Sequence, residues 1–191
     1  GKFEASMLRC SDFSGSDLTG SSFKVSDVRE ANFDRANLTD CNFSTNDLAG
    51  SSFNKTILIR TNISMSELSG AKFIDVKLTD VNLTMTDLRK TIFENCTFDG
   101  VDFKYCDLRG LCLDGLTFIG VKFEKSTLNE TSFKGTTLKN VSFLSAYNWH
   151  TWSKKYYRAI KTICFDGAMM DKLTYVTLKG LEADLSNVTI I

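Results

Sequence analysis

Few side chains in this chain are suited to catalysis or to metal binding. The only histidine, His150, lies between Trp149 and Trp152, and no nucleophile stands at a matching spacing. The six cysteines form no Cys-x-x-Cys pair and no cluster with histidine, and no glycine-rich loop precedes a helix. We therefore expect no enzyme, no metal site and no cofactor.

Charged side chains instead recur at every twentieth position. The carboxylates of one such set are Asp27, Asp47, Glu67, Asp87 and Asp107. Two residues after members of this set stand Arg29, Arg89 and Arg109, and two residues before members stand Met65, Met85 and Tyr105. These side chains can lie next to one another only if the chain returns to the same side of the structure every 20 residues.

A repeat of large apolar residues supports such a path. Every fifth residue from Phe3 to Phe143 is large and apolar, and these 29 positions hold 14 phenylalanines, 13 leucines, Val28 and Ile63. A period of five fits neither a helix nor a simple strand, so it indicates a short unit that stacks on its neighbours. Phenylalanine alternates with leucine or valine from Phe3 to Leu58, which favours a coil with an even number of sides.

The remaining repeat positions describe one side of a polygonal coil. The residue two before the large apolar one is small or β-branched almost everywhere, and nine of the 12 glycines stand two after it. Cys41, Cys96 and Cys106 occupy the small position, which favours buried reduced thiols over disulfides. Proline, which would remove a backbone donor from each coil, is absent.

Three segments carry a family resemblance: ANFDR at 31–35, ANLTD at 36–40 and ADLSN at 183–187 match the motif A(D/N)LXX. Over about three quarters of its length the chain resembles the pentapeptide-repeat proteins. The resemblance implies a right-handed, four-sided β-helix in which four pentapeptides make each coil.

We therefore predict an all-β fold, a right-handed quadrilateral β-helix of about seven coils over residues 1–145. Residues 146–191 are predicted to form a C-terminal cap with a short helix at about 153–164 and a final repeat-like strand. The stretch 169–180 fits a helix or a strand, and the repeat register returns at 183–185, shifted by two residues.

The cap is expected to close the open end of the rod, where apolar side chains and unpaired strand edges would otherwise meet water. The alternative is a homodimer in which two such ends meet. The candidate residues for either role are Trp149, Trp152, Tyr156, Ile160, Ile190 and Ile191.

We call the side of the coil that carries these charge columns, together with the corner before it, the acidic wall. On one interpretation its carboxylates bond the backbone of their own turns while the arginines neutralise them. On the other, the acidic wall is a docking surface, because Met65, Met85 and Tyr105 are apolar yet predicted to face outwards. A neighbouring column of Asn42, Asn62, Asn82 and Asp102 is interpreted as a ladder of stacked amides.

Three functions are compatible with this pattern. The first is a non-enzymatic scaffold or protein-binding module that acts through its outer walls. The second, implied by the resemblance, is a mimic of DNA that acts on DNA gyrase or topoisomerase; residues 1–143 hold 17 basic and 19 acidic residues, too balanced for the negative surface that such a mimic needs. The third is a β-helix module of a longer bacterial effector, which the in-register start at Gly1 allows.

Composition narrows the expected partners. Basic and acidic residues both number 23, so nucleic acid is not expected, and no apolar run approaches the length of a membrane span. We expect a cytoplasmic protein with a protein partner that the sequence does not identify.

Overall fold

The computed structural model describes residues 1–144 and 154–191, with side chains described for 1–144 and 157–191. The chain winds into a coil that returns to the same wall at every twentieth residue. Four ladders of parallel bridges begin at Lys2, Met7, Asp12 and Asp17 and define four walls. The first of them links Lys2 to Ser142 through seven successive bridges. The predicted four-sided β-helix is confirmed.

Backbone hydrogen bonds between successive coils hold the walls together. The N–H of Phe13 donates to the carbonyl of Asn32 at 2.8 Å, and the N–H of Asn32 donates back to Ser11 at 2.9 Å. Because nearly every rung is built in this way, each coil uses its neighbour as the partner that a single coil lacks.

Within residues 1–144 and 154–191, nine short strands are regular enough to form sheets along two of the walls. A seven-stranded parallel sheet has the order β1 (Leu58–Ile59), β3 (Lys77–Thr79), β5 (Thr97–Asp99), β6 (Thr117–Ile119), β7 (Thr137–Lys139), β8 (Met169–Met170) and β9 (Thr189–Ile190). A two-stranded sheet pairs β2 (Lys72–Ile74) with β4 (Ile92–Glu94). The described residues also form helices α1 (Lys154–Ile160) and α2 (Lys172–Gly180).

The phenylalanine rings fill the interior in vertical stacks. Phe53 and Phe73 lie 4.5 Å apart between ring centroids at an angle of 2°. Phe3, Phe23 and Phe43 stack in the same way on the opposite wall. Rings of the two stacks meet edge to face, an arrangement that aromatic quadrupoles favour. The alternation of phenylalanine and leucine along the sequence thus becomes aromatic columns on facing walls.

Every corner of the coil requires a left-handed residue. Each fifth residue from Ala5 to Asn140 has a positive φ, whether or not it is glycine. Val25 and Thr45 adopt φ values of 59° and 62° despite their β-branched side chains. The glycines of the sequence therefore mark the corners, but most corners manage without one.

The coil resumes earlier in the C-terminal segment than the sequence indicates. Cys164 bridges Ser132, and Phe165 stacks on Phe133 with ring centroids 5.5 Å apart. The chain between these two rings is longer than one coil, so an insertion shifts the repeat register by two residues. The prediction that register returns only at 183–185 is wrong, because Leu185 already belongs to the coil after Phe165.

The C-terminal segment differs from the prediction at both of its described helices. One helix is shorter than predicted, and the other forms in a stretch that the sequence left open between helix and strand. Helix α1 ends at Ile160 and not near residue 164, because the N–H of Cys164 is already engaged with Thr131 of the coil before. The ambiguous stretch 169–180 contains both β8 and α2. Asp171 begins α2 by accepting hydrogen bonds from the N–H groups of Leu173 and Thr174.

Helix α2 packs over the edge of the coil that precedes the insertion. The buried Thr174 hydroxyl accepts from the N–H of Val141 at 3.2 Å, and Asp171 accepts from the N–H of Asn140 at 2.5 Å. These contacts satisfy strand-edge donors that would otherwise face water. In the described part of the chain, neither helix is long and apolar enough to cross a membrane.

Candidate functional site

The carboxylates of the acidic wall stand in line and shape their own turns. An oxygen of Asp27 accepts from the N–H of Arg29 at 3.2 Å, and Glu67 accepts from the N–H of Ser69 at 2.9 Å. The other three members of the column make the same contact two residues ahead: Asp47, Asp87 and Asp107. Each acid therefore closes a local Asx-type turn, as the structural interpretation expects.

Arginines neutralise both ends of this column. Arg29 lies 2.5 Å from Asp27 and 3.4 Å from Asp47, so one guanidinium serves two coils. Its hydrogen bond lowers the pKa of Asp27 to about 2. Arg89 and Arg109 form equivalent 2.5 Å pairs with the acids of their own coils and lower the pKa of those carboxyls.

The middle of the column lacks such compensation. Positions 49 and 69, which continue the arginine column, hold Ala49 and Ser69. Within residues 1–144 and 157–191, Glu67 has no basic side chain at ion-pair distance. Partial burial, with like charges on Asp87 and Asp47, raises its pKa above the usual value. The acidic wall is thus neutralised at its ends and negative at its centre.

The corner before this column presents apolar side chains to solvent. Met65, Met85 and Tyr105 lie on three successive coils and are 53, 57 and 49% exposed. Lys125 continues the corner, with its ammonium 3.0 Å from the Tyr105 hydroxyl. Ile57 and Ile119 are also exposed, but their column neighbours are polar: Asn37 and Lys77 for the first, Asp99 and Lys139 for the second. The acidic wall therefore combines an apolar ladder with a charged one.

The asparagine column differs from the predicted ladder of amides. The side-chain oxygens of Asn42, Asn62 and Asn82 each accept from the N–H two residues ahead, at 2.9 to 3.1 Å. In the described residues these side chains are not hydrogen-bonded to one another. The side-chain oxygen bonds within its own turn because the backbone N–H two residues ahead is always within its reach.

Hydroxyls and thiols inside the coil have a role that the sequence pattern does not reveal. The buried Thr61 hydroxyl donates to the carbonyl of Leu38 at 2.9 Å, 23 residues earlier. The thiol of Cys41 makes the same contact with Leu18 at 2.9 Å. Residues at the small position thus satisfy interior carbonyls as well as filling space, a relation visible only once the contact between successive coils is seen.

The thiols inside the coil are poorly suited to reactivity. Burial raises the pKa of Cys41 and Cys96 to about 11 and of Cys106 to about 12, so none carries thiolate near neutral pH. All six cysteines are free. No cluster of His, Cys, Asp and Glu within the described residues could hold a metal ion. His150 lies outside the described residues.

The end of the rod is a second apolar surface. Ile160 is buried in the core, whereas Ile190 and Ile191 are exposed on and beside the edge strand β9. Leu173 and Val176 of α2 are exposed as well. Trp149, Trp152 and the Tyr156 side chain, predicted for the same surface, lie outside the described residues.

Comparisons with known proteins agree with this geometry. A family model described as a pentapeptide repeat region matches residues 36–113 and 66–143. Trypsin-treated QnrB1, a plasmid-mediated fluoroquinolone resistance protein, is 13% identical with a TM-score of 0.64 and covers 100% of this chain and 97% of its own. At this identity the likeness concerns the fold.

Two further solved structures are similar over less of the chain. HetL, from Nostoc sp. strain PCC 7120 and involved in heterocyst differentiation regulation, is 16% identical with a TM-score of 0.45 and covers 89% of this chain and 75% of its own. A pentapeptide repeat protein of the Arabidopsis thaliana thylakoid lumen is 24% identical with a TM-score of 0.42, and the match covers 56% of this chain and 61% of that protein. No curated protein sequence matches significantly.

Proposed function

We propose that this chain, which belongs to the pentapeptide-repeat family, is a non-enzymatic protein-binding module that docks a protein partner on its acidic wall. The observation that carries the proposal is the exposed ladder of Met65, Met85 and Tyr105. Apolar side chains on three successive levels of a rigid wall form a continuous strip, and such strips mark interfaces more often than scattered apolar residues do.

The interior supports a binding role over a chemical one. Phenylalanine stacks occupy the axis of the coil and leave it packed, so only the exterior can meet another molecule. The walls are held by main-chain ladders from one coil to the next, which keeps the surface side chains at fixed spacing. A preorganised surface of this kind loses little conformational entropy when a partner binds.

The test is a quantitative pull-down from cells of the source organism. A triple variant, Met65→Lys/Met85→Lys/Tyr105→Glu, should lose the partner that the unaltered protein recovers. The matched control places the same changes on other walls as Ile57→Lys/Ile92→Lys/Ile119→Glu, at positions that are also exposed, and should retain it. Equal recovery by both variants would remove the acidic wall as the docking surface.

Mimicry of DNA is the competing function on the same wall. Its support is the line of five carboxylates, but Arg29, Arg89 and Arg109 neutralise most of that line. A gyrase supercoiling assay separates the two functions, because inhibition or protection of the enzyme by this protein would favour the mimic.

A homodimer through the rod end is a second candidate assembly. Ile190 and Ile191 are exposed at the last strand of the seven-stranded sheet, whose outer edge can pair with another strand. Sedimentation should show a dimer that Ile190→Lys/Ile191→Lys converts to a monomer. A monomeric unaltered protein would rule this assembly out.

A further inference from the structure

Two arginines of the acidic wall contact carboxylates in two successive coils. Arg29 and Arg89 each contact the carboxylate two residues before them and the carboxylate of the same column in the next coil. Among the described residues Arg109 contacts only the carboxylate of Asp107, because position 127 holds a threonine. Arg29 pairs in this way with Asp27 at 2.5 Å and Asp47 at 3.4 Å. Arg89 makes the equivalent pair of contacts three coils further along, at 2.5 and 3.5 Å. Each acid therefore has two positions from which a base on the same chain can reach it.

Glu67 is the acid for which both positions lack a base. By the same spacing its partners would stand at 69 and 49, which hold Ser69 and Ala49. One carboxylate oxygen accepts from the N–H of Ser69, and within the described residues the other has no donor. Burial raises the pKa of Glu67 and like charges on Asp87 and Asp47 add to the rise; Arg89, which makes no ion pair with Glu67, offsets it only in part, so the carboxylate charge carries a net cost.

The side chains beside this vacancy restrict what can fill it. Met65 and Met85 are exposed on the corner at the level of Glu67 and at the next level. An acidic partner would be repelled, and a small cation would leave the methionines in water. A basic side chain carried on an apolar segment satisfies both the charge and the corner.

We infer that the partner presents an arginine or lysine, flanked by apolar residues, which occupies the vacant base position beside Glu67 while its neighbours cover Met65 and Met85. The acidic wall is then completed by the partner instead of by its own arginines. This inference rests on the proposed function and specifies the chemistry of the partner.

A direct test fills the vacancy within the chain. Ser69→Arg places a guanidinium where Arg29 and Arg89 stand in their coils, so it should stabilise the rod and compete with the partner. The matched control is Ser14→Arg, since the N–H of Ser14 bonds Asp12 in the same turn geometry on another wall. We expect Ser69→Arg to weaken binding at least about tenfold and Ser14→Arg to leave it unchanged.

The probe is a set of acetylated, amidated heptapeptides with arginine at the centre and leucine on either side. Matched peptides carry citrulline, which keeps the shape without the charge, or glutamate. Carbon-13 methyl labels on methionine report the site. Of the five methionines, Met65 and Met85 stand in the corner column before Glu67 and Asp87, whereas Met7 lies in the first coil and Met169 and Met170 lie on another wall. The arginine peptide should shift the first two methyl signals only, and citrulline should weaken the effect at least about tenfold.

Each other outcome overturns the inference in a recognisable way. Equal binding of the citrulline peptide means that charge is not read, and equal shifts with spermidine mean a general attraction for cations. Binding that Ser69→Arg leaves intact also contradicts the inference, as does the absence of any shift at Met65 and Met85. If the pull-down partner still depends on the methionine ladder in these cases, the proposed function stands and only the assigned chemistry fails.

Discussion

The interior of the coil depends on polar residues that the alternation of phenylalanine and leucine conceals. Hydroxyls at the small repeat position reach a carbonyl 23 residues earlier, as Thr56 does with Phe33 and Thr91 with Leu68. Both hydroxyls are buried, so each bond forms without competition from water. Where the small position holds a hydroxyl or a thiol, the side chain therefore fills space and also supplies a donor to an interior carbonyl.

Thr61→Val tests this role without changing the volume of the side chain. Removal of the hydroxyl takes one donor from the buried carbonyl of Leu38, and we expect a loss of about 1 kcal/mol of unfolding free energy in denaturant titrations. One coil further in the same column, Val81→Thr should be nearly neutral because its new hydroxyl can reach Leu58. Equal stability of Thr61→Val and the unaltered protein would contradict the assigned bond.

The acidic wall predicts opposite pKa shifts for two similar carboxyls. The pKa of Asp27 is lowered to about 2 by Arg29, so the stability that this pair contributes is lost only as the pH falls towards that value. The pKa of Glu67 is raised, so its contribution is favourable at low pH and is lost as the pH rises above its usual value of 4.5. Carboxyl carbon-13 titration should find Asp27 ionised where Glu67 is protonated, and the reverse order would contradict the ion-pair geometry.

The sign of the Glu67 shift also has a consequence for stability. Glu67→Gln keeps an acceptor for the N–H of Ser69 but removes the uncompensated charge. Its melting temperature should exceed that of the unaltered protein at pH 7 and match it at pH 3, where the carboxyl is already neutral. A variant that is less stable at pH 7 would indicate that Glu67 has a favourable partner.

The turn between two sides of the coil is the element that limits sequence choice. Its last residue is left-handed at every corner from Ala5 to Asn140, at a cost of roughly 1 kcal/mol or more for a residue with a Cβ. Glycine avoids that cost but loses more entropy on folding. The mixture of glycine and other residues at corners reflects two penalties of similar size.

Substitutions at two glycines distinguish the effect of backbone strain from that of steric crowding. Gly115 has a φ of 71° and Gly180, at the end of α2, has no positive φ, while a Cβ added at either would meet no atom within 4 Å. Gly115→Ala should therefore lower the unfolding free energy by about 1 kcal/mol, and Gly180→Ala should not lower it. Equal effects of both changes in thermal melts would show that backbone conformation does not decide these positions.

The limits of prediction from sequence are clearest in the C-terminal segment. The repeat located the coil through Phe143, but it could not locate the return to the coil at Cys164 and Phe165. A prediction from spacing requires a constant number of residues per coil. The insertion between Phe133 and Phe165 changes that number, although the two rings still stack on each other. The same argument ended α1 too late, because helical periodicity does not sense that Cys164 already pairs with Thr131.

The molecule is a rod whose interior is filled by packed side chains, so we propose that it acts through its surface. The columns of the acidic wall could be predicted in full from the spacing of the coil, and the exposure of Met65, Met85 and Tyr105 agrees with that expectation. What the spacing could not supply is the reach of each arginine, which depends on rotamers. The gaps at Ala49 and Ser69 can be read from the sequence, but that both of them concern Glu67 follows from the contacts that Arg29 and Arg89 each make with two coils.

The central claim, that one wall of an inert rod binds the partner, is tested most directly by photo-crosslinking in cells. Met85→p-benzoylphenylalanine places the photoreactive group on the acidic wall, and Ile57→p-benzoylphenylalanine places it at an exposed position of another wall. We predict a discrete adduct of higher mass from position 85 and none from position 57. An adduct from position 57 with none from position 85 would contradict the claim.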